Sequence, residues 1–263
     1  KQVIEAMGYE AVVVENKVTV ISSTQMRRLL AFRCAGEFLP EGVLDYIREN
    51  RLYDTRTDWK NLPMEELEKV VIRLLNPNRV NHVLGCRDTA ARLAKLWGVD
   101  ETDAARAGML HDVTKAIDGP LQLTLCDEYG IVLDTFSRSF PKTLHALTGS
   151  LVAERIFGEN EHVVGAICHH TTGRADMTLL EKIIYIADYV ERNRDFPGVE
   201  EMRAMAYTDL DRAVLMGLQS AVAHVKRQGQ GLAPATLEAL EYLQNQKYRT
   251  VGDGVLDVPT AVR

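Results

Sequence analysis

Residues 108–115, GMLHDVTK, decide the fold of this chain. His111 and Asp112 stand side by side directly after an apolar turn. A lone His-Asp pair is common by chance, so its meaning depends on its company. His82 lies upstream, and His145, His170 and Asp188 follow downstream in that order. Each falls on, or at the end of, a stretch of helical periodicity, so the order H…HD…H…H…D describes side chains converging from several helices. Neutral imidazole suits iron, manganese or zinc, and carboxylates add hard oxygen donors able to bridge cations. Four His and two Asp are too many for one tetrahedral zinc. They suit two metals that share Asp112 and keep positions open for water and substrate. The candidate ligands are therefore His82, His111, Asp112, His145, His170 and Asp188. Any one of them has an ordinary alternative as a hydrogen-bonded core residue, and their ordered set outweighs it. His162 and His224 have no comparable partners. His169 adjoins His170, but helical geometry turns it roughly 100° away.

Working outward, the pattern is helical from Pro63 onward. Pro63 suits the first turn of PMEELEKVVIRLL, and Asn76-Pro77 stops it. The next helix, roughly 78 to 97, puts His82, Cys86, Ala90, Leu93, Ala94 and Trp97 on one stripe, and Gly98 closes it. Asp100 or Thr102 can cap the following helix, where small residues before the His-Asp pair allow close packing. A short helix, PLQLTLCDEYG, precedes a loop, IVLDTFSRSFPK, long enough to be a lid. His145 opens the helix of KTLHALTGSLVAERIF, and His170 ends EHVVGAICHH, which Asn160 or Glu161 begins. Thr178 and Glu181 have capping-box spacing before TLLEKIIYIADYVE, which carries Asp188 and Glu191 on one face. Two more helices, about 209–228 and 234–247, complete an all-α domain spanning 63–250. A tail from 251 to 263 is expected to be loosely ordered.

The 263 residues, 46% hydrophobic and 26% charged, suit a soluble globular protein. Thirty-one basic against 37 acidic residues give a net charge of −6, which argues against an extended nucleic-acid or anionic-membrane surface. Four widely spaced cysteines without a CxxC indicate neither a zinc knuckle nor a disulfide scaffold, and a reducing cytoplasm is the simpler setting. No apolar run approaches the roughly 20 residues of a membrane span. Position 1 is Lys, so a longer product is an expectation.

Residues 1–53 read differently. AVVVENKVTVI alternates and predicts a strand or hairpin around Glu15-Asn16-Lys17, and SSTQMRRLL then offers hydroxyl caps for a helix. The fold class expected is mainly α, a helical bundle with a small α/β N-terminal segment. Residues 54–62, DTRTDWKNL, make a polar linker. ISSTQMRRLL with FLPEGVLDYIRENRLY resembles the C-terminal end of bacterial nicotinate-nucleotide adenylyltransferases, whose ISSTxIR motif helps hold ATP phosphates. That resemblance implies phosphate contacts at Ser22, Ser23, Thr24 and Arg27, chemistry that a helix N-terminus suits. The family's Gly-rich strand end with two His is absent, so the segment resembles the end of a transferase domain and is not expected to transfer adenylyl groups by itself.

A second resemblance covers roughly residues 75–225. AGMLHDVTK, PKTLHALTGS, AICHHTTG, MTLLEKIIYIADYVERNRDFPG and VEEMRAMAYTDLDRAV are similar to the YqeK-type HD-domain hydrolases, which cut diadenosine tetraphosphate symmetrically into two ADP. It implies one metal on His82, His111, Asp112 and Asp188 and a second on Asp112, His145 and His170. Iron is the metal first expected, with manganese, cobalt or zinc as alternatives. It also implies a dinucleoside polyphosphate substrate and ADP as product. Some bacteria fuse such a hydrolase behind the adenylyltransferase, which the N-terminal stretch would fit. A homodimer is the assembly to test.

Phosphoryl transfer needs charge neutralisation more than covalent help. Asp112, Lys115, Arg174 and Arg194 are therefore the candidate catalytic residues. Thr171, Thr172 and Gly173 offer hydroxyl and backbone donors to phosphate, alongside Lys115, Arg174 and Arg194. Glu191 could orient a ligand or pair with Arg194. Two rival readings stand beside hydrolysis: an HD-fold di-iron oxygenase, which uses a similar ligand order, and a non-catalytic nucleotide-sensing module. Independence from oxygen separates the first, and turnover the second.

Overall fold

A computed structural model describes residues 2–10, 12, 20–55 and 57–252 of the chain. Fourteen α-helices among these residues carry the architecture. The N-terminal group is α1 (Gln2–Ala6), α2 (Ser23–Ala31) and α3 (Glu41–Glu49). The body follows as α4 (Met64–Leu74), α5 (Val80–Trp97), α6 (Glu101–Leu110), α7 (Gly119–Glu128), α8 (Thr135–Ser139), α9 (Leu144–Val152), α10 (Glu161–His169) and α11 (Leu179–Val190). α12 (Val199–Ala206), α13 (Leu210–Arg227) and α14 (Pro234–Gly252) close the order. No strand occurs among the described residues. The hairpin expected over 11–21 lies largely outside them, as does the tail from residue 253.

The helix ends follow local chemistry. Asp100 accepts from the Asp103 N–H at 2.8 Å and caps α6. Asn160 accepts from His162 and Val163 at 3.0 Å and caps α10. Thr178 and Glu181 form the reciprocal capping box of α11. Gly98 ends α5 in the left-handed region at φ 75°, which glycine adopts without the Cβ penalty. The expected lid loop is partly helical: α8 carries Phe136, whose ring lies 4.7 Å from that of Phe140.

α5, α6, α9, α10 and α11 pack around the metal-ligand candidates, and one apolar cluster runs beneath them, including Leu93, Leu110, Ile167, Ile183 and Tyr185. The same cluster extends to Leu29 and Phe32 from the N-terminal group. The stretch 54–62 is tied down where a free polar linker was expected. Trp59 is buried and stacks on Phe157 with ring centroids 5.6 Å apart, and the Asn61 N–H donates to the Phe157 carbonyl at 2.9 Å.

Gly108 sets the distance between α5 and α6. A Cβ there would lie 2.9 Å from the Arg87 Cα and 3.0 Å from the Arg87 nitrogen, contacts that only a backbone shift can relieve. Alanine is the better helix former by about 1 kcal/mol. Overpacking against backbone outweighs this, so Gly108→Ala is expected to destabilise the protein by about 1–3 kcal/mol. Thermal melts check it: a midpoint equal to or above that of the parent would mean the two helices separate at no cost.

Candidate metal centre

Five segments each bring part of one cluster. α5 supplies His82, the end of α6 supplies His111 and Asp112, α9 supplies His145, the C-cap of α10 supplies His170, and α11 supplies Asp188. The His-Asp pair does not ride inside a helix, as its sequence setting suggested. α6 ends at Leu110, and the chain then tightens into successive turns, with Val113 N–H on the Leu110 carbonyl at 3.0 Å and Lys115 N–H on the Asp112 carbonyl at 2.9 Å. These turns swing both side chains inward, and both are 1% exposed.

The two oxygens of Asp112 face different partners. On the Oδ2 side, His82 Nε2 lies at 3.8 Å and His111 Nε2 at 3.5 Å, and Asp188 Oδ1 approaches His82 Nε2 at 3.1 Å. On the Oδ1 side, His145 Nε2 lies at 3.4 Å and His170 Nε2 at 3.7 Å, and these two nitrogens are 3.2 Å apart. Asp112 therefore stands among all four imidazoles, and His111 also lies close to His170, with ring centroids 5.1 Å apart.

Backbone carbonyls and one buried carboxylate point the imidazoles. His111 Nδ1 sits 2.7 Å from the Gly108 carbonyl, His145 Nδ1 2.8 Å from that of Lys142, and His170 Nδ1 2.7 Å from that of Ile167. A carbonyl can only accept, so each Nδ1 donates and each Nε2 lone pair is left facing the cluster. His82 is oriented by Glu191, whose Oε1 lies 3.2 Å from Nδ1 and whose Oε2 accepts from the Asn193 N–H at 2.7 Å. Gly85 makes room for that carboxylate, since a Cβ there would lie 2.2 Å from Glu191 Oε2.

The electrostatics keep His111, His145, Asp112 and Asp188 in ligand form. Burial, ahead of the opposing pull of Asp112, lowers His111 to about 4. Burial and then the Lys115 ammonium lower His145 to about 3. Both rings are thus neutral near pH 7, as metal ligation requires. For Asp112 and Asp188 burial works toward a raised pKa, but the surrounding His and cationic groups outweigh it and hold both carboxyls well below their ordinary value. Neutral His111 and His145 beside ionised Asp112 and Asp188 fit hard or borderline divalent cations. Cys86 approaches His82 at 3.6 Å, but burial raises its thiol well above the ordinary value, and it donates to the Ala187 carbonyl.

Three cations rim the cluster. Arg79 contacts Asp112 Oδ2, and Arg194 contacts Asp188 Oδ1 while also donating to the Asp188 carbonyl at 2.6 Å. Lys115 Nζ lies 2.8 Å from His145 Nε2 and 3.9 Å from Asp112 Oδ1. No motif in the sequence singles out Arg79. Its signal was its position three residues before His82, one helical turn away. Among the described residues, its buried Nε has no hydrogen-bond partner.

Other sequence candidates lie at varied distances from the cluster. Thr171 Oγ1 is 3.2 Å from His170 Nε2 and 3.3 Å from His145 Nε2. Thr172 turns to the Gly173 carbonyl at 3.0 Å, and Gly173, at φ 66°, ends the helix with its N–H on the His169 carbonyl. Arg174 is gripped by both oxygens of Glu181, at 3.0 and 2.9 Å. Glu191 turns to His82, and Arg194 pairs with Asp188 in its place. His162 and His224 are exposed, and His169 faces Glu181. In the N-terminal group, Ser22 caps α2 and lines a surface cavity of about 370 Å³ with Ser23 and Arg27, while Thr24 is exposed.

Glu191→Gln removes the carboxylate behind His82 while keeping its shape. Affinity for the bound cation is expected to fall roughly 10- to 100-fold, as for other partners of metal-ligating His. Titration of the metal-stripped protein with manganese or ferrous ions measures it. Unchanged affinity would show that His82 needs no such support.

The HD domain family matches residues 79–193. A symmetrical bis(5'-nucleosyl)-tetraphosphatase of Halalkalibacterium halodurans is 40% identical over 170 residues, 64% of this chain and 90% of that protein. The Bacillus subtilis protein of the same name is 33% identical over 180 residues, 68% of this chain and 96% of its own length. A crystal structure from Clostridium acetobutylicum, described as a predicted HD superfamily hydrolase involved in NAD metabolism, is 38% identical with a TM-score of 0.68 and covers 70% of this chain and 98% of its own. Among the described residues, no helix is long and apolar enough to cross a membrane.

Proposed function

Because the chain belongs to the HD-domain family that includes the symmetrical bis(5'-nucleosyl)-tetraphosphatases, we propose that it hydrolyses dinucleoside tetraphosphates, diadenosine tetraphosphate above all, to two nucleoside diphosphates. The observation that carries this reading is the division of labour at Asp112. Its two oxygens have different imidazoles nearest them, His82 and His111 on one side and His145 and His170 on the other, an arrangement that suits one carboxylate shared between two cations. His82, His111, Asp112 and Asp188 would hold one cation, and Asp112, His145 and His170 the other. Iron is the first candidate metal. Bound cations at this site would polarise phosphoryl oxygens and lower the pKa of a water molecule.

The chain's own groups do the rest. Lys115, Arg79 and Arg194 ring the carboxylates, so an incoming polyphosphate meets three cations able to exchange an aspartate oxygen for a phosphate oxygen. Thr171 presents its hydroxyl beside His145 and His170. Arg174 reaches phosphate only by leaving Glu181, so its part is to hold the loop that Thr171, Thr172 and Gly173 build. A symmetric cut requires one nucleoside diphosphate half to be held while its distal phosphate faces the Asp112 cluster. The N-terminal 53 residues are proposed as the end of a transferase-like domain, and the hydrolase as residues 63–250.

The relatives' names favour hydrolysis over an oxygenase reaction or pure ligand sensing. Assay under strict anaerobiosis separates these. Turnover of diadenosine tetraphosphate at the aerobic rate is expected, whereas loss of turnover without oxygen would favour the oxygenase. In the same assay Lys115→Ala should lower turnover roughly 10- to 100-fold at near-full metal content, the scale of one electrostatic donor or somewhat below it. His111→Ala should lower both turnover and metal content. Equal losses of metal in the two variants would remove Lys115 from substrate placement.

A further inference from the structure

Arg28 lies on α2, outside the stretch matched by the HD domain family, yet its guanidinium is buried against the loops that carry two of the rim cations. Nε donates to the Leu74 carbonyl at 2.9 Å. One terminal nitrogen donates to the Leu75 carbonyl at 3.3 Å and to Asn76 Oδ1 at 3.1 Å. The other donates to the Ala116 carbonyl at 3.2 Å, where the Gln25 amide adds a second bond at 2.8 Å. All of these acceptors are neutral oxygens. A planar five-donor fork is the side chain suited to joining carbonyls from two separate segments.

The two segments are adjacent to chemistry. Leu74, Leu75 and Asn76 end α4 and lead through Pro77 to Arg79, which contacts Asp112. Ala116 directly follows Lys115, which contacts His145. We propose that Arg28 is a positioning residue for hydrolysis: from the transferase-like N-terminal segment, it locks the loop of Arg79 and the loop of Lys115 in register, so that both cations meet the substrate phosphates together. The inference rests on the reading of the site as a phosphohydrolase. It makes the N-terminal segment a working part of the hydrolase, in addition to whatever that segment does in its own right.

The test compares Arg28→Met, Arg28→Lys and Gln25→Ala in the full chain. A misplacement near 1 Å at a reacting site can cost about 10²-fold, so Arg28→Met should lower kcat roughly 10- to 100-fold with metal content intact. Arg28→Lys should recover part of that loss, and Gln25→Ala should lose a smaller share. Because Arg28 acts through Lys115 in this account, the loss caused by Arg28→Met should shrink in a Lys115→Ala background. A lower melting temperature with kcat preserved, or full additivity with Lys115→Ala, would overturn the proposal. If Arg28→Met does not fold, Gln25→Ala and Arg28→Lys decide the same question by the same criteria. Amide hydrogen exchange supplies a readout independent of the reaction: in the variants, exchange should quicken over both 75–79 and 113–118. Absence of that change would refute the lock even if the protein hydrolyses diadenosine tetraphosphate, and its presence would uphold the lock even if the substrate proves different.

Discussion

Asp112→Asn is expected to abolish turnover, with a loss above about 10³-fold, beyond the roughly 10²–10³ attached to one electrostatic donor. The substitution keeps the shape of the side chain and removes its charge. Asp112 is 1% exposed and stands between His82 and His111 on one side and His145 and His170 on the other. Neutralising it weakens both donor groups at once, whereas His145→Ala should weaken one of them. Metal analysis beside the activity assay separates the cases. Asp112→Asn should lose metal from the whole site, and His145→Ala should retain part of it. Retention of full metal content by Asp112→Asn would show that the carboxylate is not shared.

The largest expected effect on stability lies away from this centre. Arg106 forms a two-pronged ion pair with Glu159, at 2.7 and 2.6 Å, and its remaining nitrogen donates to the Leu62 carbonyl at 2.7 Å. The side chains are 14% and 3% exposed. Arg106→Ala strands the Glu159 carboxylate in the interior and should cost about 3–5 kcal/mol. Replacing both partners with apolar residues of similar volume should recover most of that cost, because no charge is then left unpaired. Denaturant unfolding of the single and double variants measures both. A single variant within about 1 kcal/mol of the parent, the scale of an exposed pair, would show that water reaches Glu159.

Much of the helical body was legible because amphipathic periodicity and caps are local. The capping box at Thr178 and Glu181, the Gly98 terminator and the ordered ligands on separate helices all leave a mark within a few residues. The turn after Leu110 was not legible, since nothing in HDVTK forbids another helical turn. The helix stops there, and the two polar side chains that follow are buried. Partners of long side chains were also hidden. Arg174 follows the HTTG stretch and so suggested a phosphate contact, but Glu181 on the next helix lies within reach. Arg79, Arg28 and Arg106 find their acceptors through tertiary packing, which leaves no periodic trace. Trp59 falls in a stretch that reads as a polar linker, because one aromatic among charged residues carries no pattern. The hairpin expected around Glu15-Asn16-Lys17 lies outside the described residues.

The most direct measurement of the central claim is phosphorus NMR of the products formed from diadenosine tetraphosphate by the metal-loaded protein in oxygen-18 water without dioxygen. ADP is expected as the sole nucleotide product, with one oxygen-18 on the terminal phosphate of one ADP for each molecule cut. ATP and AMP in place of ADP would contradict the symmetric placement of substrate at the Asp112 cluster, and an absence of any turnover would contradict the hydrolase itself.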